Sequence, residues 1–369
     1  MNEEQLHYHL SLILVPHIGD VHISILMEHF KDPKQIFQAK RKELELISGI
    51  GSVRAHAIKS FNAFDLVERE LKFVEKNNIN VLVKTMDGYP KKLKEFQDAP
   101  HILFFKGSAT LSDCRIVSII GTRSPTSYGK ERVVELIKSL SGQKVLVVSG
   151  LAYGIDTIVH KESLRAALPT LGVLGHGLDQ IYPQANRSLA VEMLQNGGLI
   201  TEFLSKTKPD KQNFPLRNRI VSGIADAVVV VESGEKGGSL ITANMANAYN
   251  KDVFAYPGRS IDTQSRGCNE LIKSQRAMLI NDGNDFLSFM NWQVDSRRKS
   301  TIQSSLFQEL TQEERFLLGL FNDGKTLSID QIHLLSNMKP SQVPLILLSL
   351  EMKGLVRILP GKIYAATSS

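Results

Sequence analysis

Phe214, Arg217 and Arg219 lie in the stretch Phe214-Pro215-Leu216-Arg217-Asn218-Arg219-Ile220-Val221-Ser222-Gly223, which sets an aromatic plane beside two guanidinium groups. The stretch runs into an apolar strand, Asp226 to Glu232, and a glycine-rich turn, Ser233 to Ser239. A stacking plane, fixed cations and backbone N–H groups freed by a glycine turn suit a flexible chain of phosphates and bases, and suit a small neutral metabolite poorly. Lys206, Lys208 and Lys211 lead into the stretch and add positive charge. Downstream, Gly237 and Gly238 open a helix at Gly238-Ser239-Leu240-Ile241-Thr242-Ala243, where free N–H groups can meet an anion.

Three further turns carry polar groups. Gly121-Thr122-Arg123-Ser124-Pro125-Thr126-Ser127-Tyr128-Gly129-Lys130 lacks the three-glycine dinucleotide fingerprint. It is also too long for a Walker A loop and has Glu131 where Ser or Thr would hold magnesium. Arg123 is its candidate anion contact. Ser149-Gly150-Leu151-Ala152-Tyr153-Gly154-Ile155-Asp156 is followed by His160, but the nucleophile elbow Gly-x-Ser-x-Gly is absent. Asp156 therefore reads as an acidic first-turn residue and His160 as its local partner, not as a hydrolase pair. Gly175-His176-Gly177-Leu178-Asp179-Gln180-Ile181-Tyr182-Pro183 is either a phosphate cradle or a tight turn needing positive φ.

The elements that position these turns follow from periodicity. Apolar runs at Ile116–Ile120, Val145–Val148, Leu171–Leu174, Leu199–Phe203, Ala227–Val231 and Val253–Tyr256 alternate with amphipathic helices. That pattern implies an α/β, Rossmann-like doubly wound domain with a mostly parallel sheet, over 81–293. Its first part, Val81 to Lys106, reads as an extension on the sheet edge. Residues 1–80 read as short helices with two similar hairpins, around Val15-Pro16-His17-Ile18-Gly19-Asp20 and Ile47-Ser48-Gly49-Ile50-Gly51-Ser52, a helix-hairpin-helix or SAM-like domain. Its acidic flanks Asp20, Glu43 and Glu45 favour packing or partner binding over DNA contact. A polar linker at 294–304 leads to three helices and a hairpin around Pro360-Gly361, a winged-helix domain at 305–369.

The net charge of +6 divides unevenly: residues 1–80 hold 10 Lys+Arg against 11 Asp+Glu, 305–369 six against six, and 81–304 hold 28 against 21. The middle segment is thus the expected electrostatic footprint for nucleic acid. No apolar run approaches the roughly 20 residues that span a bilayer, and the acidic start has no basic region followed by an apolar one, so a cytoplasmic protein without membrane contact is expected. Cys114 and Cys268 are too few for a zinc site or disulfide framework. No metal or cofactor is expected.

In order, Gly121-x-Arg123, Ser149-Gly150-x-Ala152-x-Gly154-Ile155-Asp156, Gly175-x-Gly177-x-Asp179-x-x-Tyr182-Pro183, the Phe214-to-Ile220 segment, Gly238-to-Ala243 and Pro257-Gly258 resemble the DNA-processing protein A family, DprA or Smf. The resemblance covers nearly the whole chain. It implies a cytoplasmic bacterial protein that binds incoming single-stranded DNA during natural transformation, forms a homodimer, helps load the recombinase RecA and catalyses nothing. Gln275-Arg276-Ala277 and Gln184 depart from the family pattern, the latter at a position where a basic residue is common. The expected DNA-binding set is Arg123, Gly150, Lys211, Phe214, Arg217, Asn218, Arg219, Gly238, Ser239 and Thr242. Within it Arg123, Lys211, Arg217 and Arg219 would contact phosphate and Phe214 a base. Gly150, Gly238 and Ser239 would donate hydrogen bonds.

The rival from another class is a nucleotide phosphoribohydrolase-like enzyme on a related core, with a Gly-Gly-x-Gly-Thr-x-x-Glu turn. Laid on Gly237-Gly238, that pattern puts Leu240 at the third glycine and Asn244 at the catalytic Glu, leaving no charge to stabilise an oxocarbenium-like centre. A third reading, an adaptor acting through its end domains, predicts no affinity for nucleic acid.

Overall fold

The computed structural model describes residues 2–293, 310–321, 326–336, 338, 339, 341–353, 355–359 and 363–366. Two compact units emerge, Met1–Trp292 and Gln293–Ser369.

The first unit opens with six helices, α1 (Glu3–Leu14), α2 (Asp20–Phe30), α3 (Pro33–Gln38), α4 (Arg41–Leu46), α5 (Gly51–Lys59) and α6 (Phe64–Lys76). The two glycine turns of the sequence lie between α1 and α2 and between α4 and α5. Then follow β1 (Asn80–Val83), α7 (Lys91–Lys94), β2 (Ile102–Gly107), β3 (Arg115–Ile120), α8 (Ser127–Leu140), β4 (Val145–Ser149) and α9 (Ile155–Arg165). The chain continues through β5 (Thr170–Val173), α10 (Arg187–Met193), β6 (Gly197–Thr201), α11 (Asn213–Gly223), β7 (Ala227–Val230) and α12 (Gly238–Ala248). It ends the unit with β8 (Asp252–Ala255), α13 (Arg266–Lys273), β9 (Met278–Leu279) and α14 (Gly283–Phe289).

The nine strands form one sheet in the order β1-β2-β6-β5-β4-β3-β7-β8-β9. From β6 to β9 all pairings are parallel; β2 joins β6, and β1 joins β2, antiparallel, as the edge extension expected from Val81 to Lys106. The central strands β3 to β7 are mostly apolar and almost wholly buried because both faces are covered. In β3, Ile116 and Ile120 enter a core with Ile220, Val221 and Ile224 of α11 and Ala243 and Ala246 of α12. Val117 and Ile119, pointing the other way, enter a core with Leu136, Ile137 and Leu140 of α8 and Val159 of α9. Both cysteines lack disulfide partners, and burial raises the Cys268 thiol to about 12.

The helical front and the sheet share a core. Leu10 of α1 and Val67 and Val74 of α6 pack with Val83, Ile102 and Phe104 of β1 and β2. This is why the expected break near residue 80 does not separate two units. Polar contacts reinforce the junction. Glu70 of α6 accepts from the backbone N–H and the hydroxyl of Ser205, at 2.9 and 2.5 Å. His9 Nδ1 and His101 Nε2 lie 2.9 Å apart, both rings buried.

Arg219 closes the same seam. Its guanidinium donates to the Asp98 carbonyl, to Glu202, and to Asp20 at the start of α2, the last at 3.1 Å. Burial opposes its charge, yet Glu202 and Asp20 hold its pKa above the ordinary arginine value. Burial pushes Glu202 up, and Arg219 counters that only in part. Asp20 also accepts from the His101 N–H at 2.7 Å, so its carboxylate is committed to this junction.

In the second unit, helices Gln312–Gly319, Ile329–Ser336 and Gln342–Met352 accompany a three-stranded antiparallel sheet. Its strands run in the order Thr326–Ser328, Ile363–Ala366, Val356–Leu359, forming a winged helix. The linker expected at 294–304 and the Pro360-Gly361 turn lie outside the described residues.

Two stability predictions follow from the seam. Replacing Arg219 with Ala leaves two carboxylates facing each other with little solvent, and urea denaturation should register a loss of about 3–5 kcal/mol; an unchanged midpoint would mean the network is idle. The second concerns pH. Burial lowers His9 to about 4 and His101 to about 3, against 6.5 when exposed. The unfolded chain therefore binds more protons between those values, so this stabilisation is complete above pH 6.5 and drains as pH falls towards 4. His101→Phe should flatten that limb in a urea series across pH 4–7, and a limb as steep as the parent's would contradict the assignment.

Candidate nucleic-acid interface

The carboxyl ends of β3, β4 and β5 and the start of α11 enclose a narrow slot. Arg123, Gly150, Tyr153, His176, Tyr182, Phe214 and Arg217 are among its lining residues, and its volume is about 20 Å³. That is room for about one water-sized group and not for a nucleobase.

Phe214 and Arg217, one helical turn apart on α11, share a face of that helix. Arg217 is only 5% exposed. Its Nη1 donates to the Gly150 carbonyl at 2.6 Å and to the Val173 carbonyl, at the ends of β4 and β5. Gly150 is required here, since a Cβ would collide with the guanidinium. Burial, and the nearby Arg123, lower Arg217 to about 10, so it stays cationic at neutral pH. Arg217 makes no ion pair among the described residues. Asp156, itself buried, supports that charge through the field without contacting it as an ion pair. A buried positive charge without a paired anion is costly unless something else neutralises it.

Arg123 is exposed on the loop after β3. Its guanidinium carbon lies 5.7 Å from the Phe214 ring centre, a cation–π arrangement that holds a second positive group over the slot. Tyr182 tilts against Phe214 with ring centres 6.0 Å apart. His176 is not a phosphate donor. Its Nδ1 donates to the Gly177 carbonyl at 2.9 Å, and its Nε2 accepts from the Tyr182 N–H at 3.2 Å, which fixes the neutral tautomer and locks the turn. His160 is buried and sits 2.7 Å from the Thr170 hydroxyl, and burial depresses it to about 3. The expected Asp156–His160 pairing is replaced by this bond to Thr170.

Of the expected set, the slot unites Arg123, Gly150, Phe214 and Arg217. Lys211 is exposed just before α11, and Asn218 is half-buried on that helix. Arg219, two residues beyond Arg217, is carried to the opposite side and spent on Glu202 and Asp20. Gly238 opens α12 with free space around it and no side-chain cap. Ser239 is buried, its hydroxyl donating to that of Ser233 at 2.8 Å, and buried Thr242 gives its carbonyl to the Ser222 hydroxyl at 2.9 Å. Both serve the packing of α12. Tyr153 and Tyr182, read from sequence only as turn residues, are half exposed at the lip of the slot; an aromatic in each of two consecutive strand-to-helix turns was the available signal.

The position where a dinucleotide-binding fold receives pyrophosphate, the start of α8 beside β7, is occupied from within. Glu232, 2% exposed, accepts from the Thr126 N–H at 2.9 Å and the Thr126 hydroxyl at 2.7 Å. A Cβ at Gly129 would strike the same carboxylate. A buried carboxylate thus holds the N-cap of α8, Thr126, whose hydroxyl accepts from the Gly129 N–H, and it competes with an external anion at the helix start. Asn244, where the rival enzyme needs a carboxylate, is exposed and accepts from Arg276 Nη1 at 3.0 Å. Among the described residues there is no group of three or more His, Cys, Asp or Glu placed to hold a metal, and no helix is long and apolar enough to cross a membrane.

The profile of the DNA recombination-mediator protein A family matches residues 80–291, and that of the DprA winged helix domain matches 306–362. DNA processing protein DprA of Bacillus subtilis (strain 168) is 40% identical over 224 residues, 60% of this chain and 75% of that protein. Protein Smf of Escherichia coli (strain K12) is 32% identical over 300 residues, 80% of this chain and 79% of that protein. The fold is similar to the X-ray structure of DprA from Streptococcus pneumoniae, with a TM-score of 0.67 and 29% identity, covering 76% of this chain and 97% of that one. It is also similar to DNA processing protein A from Helicobacter pylori, a structure described for its single-stranded DNA binding mode, with a TM-score of 0.53 and 31% identity, covering 58% and 95%.

If Glu232 holds the N-cap of α8, Glu232→Ala should cost about 1–3 kcal/mol in urea denaturation. Sulfate should then raise the melting temperature of the variant more than that of the parent, because the helix start becomes available to an anion. Equal sulfate responses would show that the carboxylate is not what excludes anions there.

Proposed function

The chain belongs to the DNA recombination-mediator protein A family, and from that premise we propose that it is a single-stranded DNA-binding recombination mediator acting on DNA taken up in natural transformation. The observation that carries the reading is Arg217, a buried guanidinium without an ion pair among the described residues, which opens onto a slot beneath a second, exposed guanidinium, Arg123. A phosphate oxygen is small enough for the slot and supplies the missing negative charge. Arg123 and Lys211 contact the backbone from the surface, and the uncapped start of α12 at Gly238 offers N–H groups along the same edge of the sheet. Phe214 holds Arg123 in place and, with the lip tyrosines, gives bases an aromatic border. Arg219 leaves the phosphate-contacting set, because its charge is already matched, and Ser239 and Thr242 support α12 from behind. The Helicobacter pylori relative, described for single-stranded DNA binding, supports the same choice of ligand.

The protein works in the cytoplasm as a homodimer, delivers the covered strand to RecA, and catalyses nothing. Asp156 and His160 are closed off beneath the slot, and Asn244 supplies no carboxylate for a glycosidic reaction. The winged helix serves association rather than duplex reading. On its helix Gln342–Met352, Leu345 and Leu348 are exposed where a duplex-binding unit would present polar or basic groups.

Fluorescence anisotropy with labelled single strands and duplex at several salt concentrations tests the proposal. Single strands should bind more tightly at physiological salt. Arg123→Ala should reduce the slope of log affinity against log salt by about 0.7, whereas Phe214→Ala should cost about 1–3 kcal/mol with a smaller change in slope. Equal affinity for both DNA forms, or a folded Arg123→Ala with the parent's affinity and slope, would overturn it.

A further inference from the structure

The slot leaves a problem of volume. At about 20 Å³ it accepts a phosphate oxygen and no base, so beyond the few nucleosides that its aromatic border can cover a strand must find room elsewhere along the sheet edge. A cleft of about 780 Å³ lies beside it, between the first turn of α8 and the loop from Pro257 to Ser265. That is within the range of about 300–1,000 Å³ found for small-molecule sites. It begins at Thr126, three residues from Arg123, hence at most about 11 Å away along the chain.

Its lining separates into two chemistries. Tyr128 presents an aromatic ring that is 37% exposed and held at both ends. Its hydroxyl donates to the Pro257 carbonyl at 2.6 Å, and the Arg132 guanidinium carbon lies 5.5 Å from the ring centre. A ring fixed in this way loses little freedom on stacking. Across the cleft, Arg259 is exposed and has neither an ion pair nor a side-chain hydrogen bond among the described residues. Asp262 and Gln264 stand on the same loop and can meet the amino and carbonyl edges of a base. Glu232 keeps phosphate away from the start of α8, so a backbone passing here turns to Arg259.

We propose that this cleft is a second station for the strand, in which one nucleotide stacks its base on Tyr128 and sets its phosphate at Arg259. The proposal rests on the single-strand reading of the neighbouring slot and extends it by a defined step along the edge. It adds a base-binding volume on the β3–β8 side of the sheet, beyond the aromatic border at Phe214.

Oligothymidylates of about 4 and about 12 nucleotides, bound to the full chain, separate the stations. On the longer strand, Tyr128→Ala and Arg259→Ala should each weaken binding by roughly five-fold or more, while Tyr128→Phe, which keeps the stacking face, should stay within about two-fold of the parent. On the shorter strand, which the slot alone can satisfy, all three should match the parent. A 2-aminopurine placed within the longer strand should be quenched by the parent and by Tyr128→Phe, and not by Tyr128→Ala. If the parent binds the long strand and both alanine variants bind it equally well, the second station is wrong and the slot stands. If the parent binds no strand, both fall together.

Discussion

Arg217 sits with its guanidinium against the carbonyl ends of two parallel strands, and much of the surrounding sequence is arranged to tolerate a cation there. The Gly150 and Val173 carbonyls supply partial negative charge without an ion pair. Gly150 must lack a side chain to admit the group, and Gly175 must be small because the Phe214 ring lies against it. The turns after β4 and β5, which look unrelated along the chain, are thus tied to two side chains on one face of α11. The apolar face of α11 fixes where that side chain points, through Ile220, Val221 and Ile224 in the sheet core. The result is a buried cation held by strand carbonyls and, through the field, by Asp156, with no direct ion pair among the described residues.

Arg219 shows how little residue type alone decides. It lies two positions from Arg217 on the same helix, and a rotation of about 200° sends it to the opposite side. There Asp20 and Glu202 satisfy it, and it joins the front helices to the sheet. One helix therefore carries a cation without an ion pair among the described residues on one side and an ion-paired cation on the other. The matched pair also sets the relation between the front helices and α11, since Asp20 belongs to the former and Arg219 to the latter.

The parallel sheet was legible because strands buried on both faces must be apolar at every position, and six such runs separated by helical patterns leave few alternatives. Arg123, Gly150, Phe214 and Arg217 could be collected into one site because the strand-to-helix turns of such a sheet all emerge at its carboxyl edge. What stayed hidden depends on distance in sequence. Glu232 looks like the last residue of a strand, and nothing local reveals that it holds the N-cap of a helix beginning about a hundred residues earlier. Asp20 reads as an acidic flank of the first hairpin and proves to be one of the two carboxylates paired with Arg219. The break expected near residue 80 rested on a change from helical to alternating pattern, which is real. The shared apolar core of α1, α6, β1 and β2 lies across it, because a change of pattern carries no information on whether two layers bury each other.

Glu232 also bears on why the fold alone could not have assigned the ligand. In a doubly wound sheet the helix start beside the topological switch point attracts phosphate through its free N–H groups and its dipole. Here the chain supplies its own carboxylate to that position, so the most favourable anion site of the architecture is consumed by folding. The remaining positive potential is displaced sideways, to Arg123 and Arg217 over β3, β4 and β5 and to the uncapped start of α12. A deep pocket at the switch point would suit one compact dinucleotide. Shallow cationic contacts spread along an open edge suit a ligand that is itself extended, because such a ligand can add contacts step by step while leaving its remaining length free for another protein.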